Sequence, residues 1–72
     1  MAVEVRLGEV MAERGMSVAE LARTIGLTAA NVSILKNGHA RAVRFGTLNA
    51  ICDALECEPG DILVRVKGPQ PE

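Results

Sequence analysis

The order of apolar and polar residues changes period twice along the chain. Ala2 to Arg6 (AVEVR) alternates, with β-branched Val3 and Val5, which predicts a short strand. From Leu7 the apolar positions fall three and four apart: Leu7, Val10 and Met11 share a helix face to about Arg14, and Gly15 ends that helix. Met16 stands where a staple residue packs ahead of the next helix. Ser17 with Glu20 spells a capping box, and Val18, Leu21, Ala22 and Ile25 form the stripe behind it. Gly26 stops this helix, Leu27 is expected to point inward, and Thr28 caps a further helix over about Ala29 to Asn37, stopped by Asn37-Gly38. Within it Val32 and Leu35 can face the core together. That leaves Ala29, Ala30, Asn31, Ser33, Ile34, Lys36 and Asn37 outside.

His39 to Gly46 (HARAVRFG) reads as a basic loop running beside that helix. Phe45 is expected to anchor the core at the start of a fourth helix whose stripe is Leu48, Ile51, Cys52 and Leu55. Glu58-Pro59-Gly60-Asp61 predicts one short helical turn with Pro59 first. Ile62 to Lys67 (ILVRVK) returns to strand character, with Val64 and Val66 on one side, and Gly68 to Glu72 reads as a frayed tail. Two strands at opposite ends of a small chain most simply pair with each other, because an isolated edge is a liability. The chain has no internal repeat and no low-complexity segment.

The 72 residues imply one domain, 1–72. Phe45 is the only aromatic residue, so the core must be aliphatic. Such a small core supplies roughly 3–5 kcal/mol, which favours a dimer as added buried area. No apolar run approaches the roughly 18 residues of a membrane span, and Glu4 and Arg6 interrupt the start, so a cytoplasmic protein without a membrane role is expected. Cys52 and Cys57 are then expected to be reduced. With one distant histidine they do not match a zinc site, and no metal is expected. They read as a buried helix residue and a partly buried loop residue, a redox or metal role being the alternative. His39 in its loop reads as solvated ahead of a phosphate contact. Neither cysteine has a base nearby in sequence, no glycine-rich phosphate loop is present and the acids are scattered, so no enzyme, cofactor or small-molecule substrate is expected.

Charge distribution adds more than the net value of -1. Residues 21–52 hold Arg23, Lys36, Arg41 and Arg44 and no acid, whereas the flanks hold all nine acids against four bases. A basic middle between acidic flanks suits a nucleic-acid face that stays soluble, although a solvated surface can segregate charge without purpose. A capped helix, a glycine turn and a second helix with a small, polar outer face, over 17–38, make the pattern of a helix-turn-helix.

The run ELARTIGLT..NVSILKNG, then RFGTLNAICDAL and EPGDIL, resembles the helix-turn-helix domains of the phage repressor and Cro type, in particular the small Xre-class bacterial regulators. The likeness covers about Leu7 to Leu63. It implies a mainly α fold of five short helices, here with a small two-stranded sheet from the chain ends. It also implies sequence-specific binding of double-stranded DNA, usually by a homodimer on a palindromic operator. By position, Thr28 and Asn37 match residues that bond phosphates, and Ala29, Ala30, Asn31, Ser33 and Ile34 match positions that face bases. Arg41 and Arg44 match the basic loop on the backbone or minor groove, and Lys36 joins the phosphate-contacting set. Many relatives carry Gln where this chain has Val18 and on the reading helix. Readout here is therefore expected through Asn31, Lys36 and apolar contact of Ala29, Ala30 and Ile34 with thymine methyls. The alternative on the same fold is a protein-interaction module, an antitoxin or accessory subunit, with Ile34 as its anchor.

Overall fold

The computed structural model describes residues 3–66. Five helices and two strands follow in the order β1 (Val3–Val5), α1 (Leu7–Arg14), α2 (Val18–Ile25), α3 (Ala29–Lys36), α4 (Phe45–Leu55), α5 (Pro59–Ile62) and β2 (Leu63–Arg65). The strands pair antiparallel, with Val3 opposite Arg65, Glu4 opposite Val64 and Val5 opposite Leu63. The second strand starts one residue later than its sequence suggests. Ile62 instead ends α5, 2% exposed, and its carbonyl accepts the Arg6 N–H at 2.6 Å. The expected strand ends Ala2 and Lys67, and the tail Gly68 to Glu72, lie outside the described residues.

The core is aliphatic and sulfur-bearing throughout. Leu7, Val10 and Met11 of α1, Leu21 and Ala22 of α2, Val32 of α3, Leu48, Ile51, Cys52 and Leu55 of α4, and Ile62 close on one another. Phe45 is not among them. It is 88% exposed, contrary to its expected role as a core anchor. As the first residue of α4 it lies a turn beyond Leu48, while Val43 of the preceding loop packs against the core.

One device ends four of the helices. The N–H donors of Met16, Leu27, His39 and Cys57 bond the carbonyls of Met11, Ala22, Ile34 and Cys52, each five residues back, at 2.9–3.0 Å. This six-to-one closure requires a left-handed residue just before the donor. Gly15, Gly26 and Gly38 supply it three times, and Glu56 supplies the fourth with φ 52°. A second tie secures the last of these ends. Arg14 of α1 donates from Nε to the Leu55 carbonyl at 2.6 Å and from its terminal nitrogen to the Glu56 carbonyl at 3.2 Å. The last carbonyl of α4 and that of its cap Glu56 thereby acquire a charged donor from another helix.

Candidate nucleic-acid interface

The start of α2 is fixed as its residues require: Ser17 Oγ accepts from the Glu20 N–H at 3.1 Å, and the Glu20 carboxylate accepts from the Ser17 N–H at 2.9 Å. The backbone bond from Ser17, then the Ser17 hydroxyl, hold the Glu20 carboxyl below its usual value of 4.5. At the other end Gly26, with φ 76°, turns the chain within three residues, and α3 leaves at 114° to α2. That angle lies in the range of helix-turn-helix pairs, about 90–120°. Leu27 is half-buried beneath the turn, as its position suggests.

Thr28 caps α3 by accepting the Asn31 N–H on Oγ1 at 3.1 Å, which leaves its hydroxyl proton available to donate. Val32 is fully buried and Leu35 half-buried, and these two hold α3 on the core. Ala29, Ala30, Asn31, Lys36 and Asn37 are exposed, and Ile34 is 45% exposed. Ser33 differs from that set, being only half-exposed. Lys36 is steered from an unexpected side: its Cγ and Cε lie 3.3 Å from where a Cβ on Gly8 of α1 would stand. The missing side chain at Gly8 thus leaves a track for the lysine stem, and no periodicity in the sequence marks it.

Two grooves gather the other residues. Asn31 and Ile34 of α3, with Arg44 and Thr47, line one of about 270 Å³. Lys36, Asn37 and Arg41, with Val5 and Leu63, line another of about 520 Å³. Leu35, Ala40, Ala42 and Val43 belong to both, so the basic loop lies against α3 from Asn31 to its C-terminal end. Ala29 and Ala30 line neither groove and stand at the free N-terminal end of α3. Thr47 escaped the sequence reading. Its signal was its place in the first turn of α4, off the Leu48–Ile51 stripe.

The electrostatics favour an anion. Among the described residues one ion pair forms, Arg6 with Glu4 at 3.1 Å, which engages the one carboxylate that lines the larger groove beside Lys36 and Arg41. Lys36, Arg41 and Arg44 are exposed, and no acid occurs from residue 21 to 52. α4 begins beside Arg44 with no acid in its first turn and no side-chain cap, which leaves its positive end open. Among the described residues no cluster of three or more metal-ligating side chains forms. No single described helix is long and apolar enough to cross a membrane.

Comparison with known proteins agrees with this geometry. The model of the Cro/C1-type helix-turn-helix DNA-binding domain matches residues 6–68. The uncharacterized HTH-type transcriptional regulator YozG of Bacillus subtilis (strain 168) is 57% identical over 63 residues, which are 88% of this chain and 75% of that protein. A solved chain from the SinR protein/SinI protein complex superposes with a TM-score of 0.70 at 20% identity, over 76% of this chain. This chain spans about half of that one, 53%, and the likeness establishes the shared fold. Arrangement and sequence together place the chain in the Cro/C1-type helix-turn-helix family of DNA-binding transcriptional regulators.

Proposed function

We propose that the chain is a sequence-specific regulator that binds a palindromic operator as a homodimer, with α3 of each subunit in the major groove. The observation that carries this reading is the outward side of α3, uncovered among the described residues and flanked by Lys36, Arg41 and Arg44 with no acid in that part of the chain. Thr28, Lys36, Asn37, Arg41 and Arg44 contact phosphates and set the register. Ala29, Ala30, Asn31, Ser33 and Ile34 face base edges. Asn31 reads by hydrogen bonds, and the two alanines and Ile34 read thymine methyls by apolar contact. Half-exposed Ser33 contributes least to that set.

So few cations per subunit give weak, salt-sensitive binding, and two copies about one helical turn apart supply the rest. The family description favours DNA over a protein as the partner of this face. Selection of fragments from a random duplex pool tests the reading, and a two-fold symmetric consensus is expected. Arg44→Ala and Lys36→Ala should each weaken binding to every sequence and lower the slope of log affinity against log salt by about 1. Binding indifferent to salt, or untouched by both changes, contradicts it.

A further inference from the structure

The two cysteines take no part in the interface, and their placement is specific. Cys52 and Cys57 occupy the two positions that the terminal closure of α4 brings together, the Cys57 N–H donating to the Cys52 carbonyl at 3.0 Å. In this closure the side chains at those positions characteristically touch. The same positions hold Met11 with Met16 after α1 and Ala22 with Leu27 after α2, contacts that serve the core. At the end of α4 these two positions hold two free thiols. A 3.0 Å N–H···O link holds the two Cα atoms within about 7 Å of each other, inside the reach of a disulfide. Cys52 is buried on the core, but half-buried Cys57 also lines a groove of about 270 Å³ with Arg6, Arg14, Glu9, Glu13 and Asp61. Cations and carboxylates along one groove suit a small zwitterion.

We propose that Cys52 and Cys57 are an oxidisable pair that closes an intrachain disulfide when a small zwitterionic disulfide enters the groove beside Cys57. Cys57 Sγ, as thiolate, attacks one sulfur of the oxidant and forms a mixed disulfide, and the other half leaves as a thiolate that takes up the proton Cys57 lost. Cys52 Sγ then attacks the Cys57 sulfur, and its proton passes to the second departing half. Two S–H bonds break, one S–S bond forms, and the two electrons reduce the oxidant to two thiols. Burial first, then the neighbouring Cys57 thiol, push the Cys52 thiol up to about 11. Cys52 therefore waits as a protonated thiol, and Cys57 makes the first attack. The acids Glu58 and Asp53, which also act on Cys52, favour a neutral product over a pair of thiolates.

Oxidised glutathione is a suitable probe. The reduced full chain is incubated with it, quenched with acid and weighed intact. The wild type should lose the mass of two hydrogens, retain no glutathione and yield one peptide bridged from 52 to 57, all reversed by dithiothreitol. Cys52→Ala should stop with glutathione held on Cys57. Cys57→Ala should react about tenfold more slowly or less, since its remaining thiol is buried and protonated. The proposal is overturned if the wild type keeps glutathione on Cys57 as Cys52→Ala does, if only chain-to-chain disulfides form, or if Cys57→Ala reacts as fast as the wild type. Should a variant fail to fold, the intact mass of the wild type still decides.

Discussion

An exposed phenyl ring gains little from folding, because the free energy of apolar burial scales with the area removed from water. Phe45 remains 88% exposed, so Phe45→Ala should change stability by less than about 0.5 kcal/mol. A buried phenylalanine would cost about 3–5 kcal/mol, and a urea titration separates the two outcomes. Glu20 gives a second test at this scale. Its carboxyl titrates below 4.5 in the folded chain because charged oxygen accepts the Ser17 N–H, whereas the unfolded chain keeps the ordinary value. The resulting stability is complete above about pH 5 and is lost as the pH falls through the lowered value. Melting temperatures of wild type and Glu20→Gln should therefore differ at pH 7 and converge as the pH falls below the lowered value. A constant gap would show that the charge of Glu20 is not the cause.

Between elements, the bond from Arg14 to the end of α4 spans 41 residues of sequence. Removing the guanidinium strips charged donors from the Leu55 and Glu56 carbonyls, and Arg14→Ala should cost about 1–2 kcal/mol. Arg14→Lys should restore part of it, since an ammonium cannot reproduce two forked contacts. Chemical denaturation of the three proteins reads this directly. The elements themselves were legible in the sequence wherever the rule was local: the Ser17–Glu20 box, the Thr28 cap, and the glycines that end α1, α2 and α3. Long-range features were not. Arg14 reads as a solvated helix residue until α4 is in place, and Gly8 as a weak helix former until Lys36 crosses it. Phe45 misled because a periodic stripe gives direction around a helix but not how far the core extends along its axis. Glu56 was missed because its left-handed backbone is imposed by closure of α4, against its own preference.

At the scale of the whole molecule, charge and shape combine. The residues proposed for the face run from the Thr28 cap through α3 to Arg44, one contiguous stretch, which is why they could be named as candidates before the fold was known, whereas Thr47 of α4 could not. What a single sequence withholds is the mate of the subunit, because surface that pairs two copies has no local period. The dimer proposed above has its own test: binding should rise with the square of protein concentration below saturation. Moving one half-site by about half a turn, ~5 base pairs, should abolish the joint mode, because the second α3 would then meet the opposite side of the duplex. A titration with unit slope, indifferent to that spacing, points to independent monomers.

A chain without tryptophan or tyrosine is nearly dark in the near ultraviolet, and its one phenyl ring stands outside the packed interior. Position 45 therefore accepts a fluorinated ring without disturbing the interior. Its single resonance, free of overlap, can follow events at the head of α4 beside Arg44 while the rest of the protein stays silent.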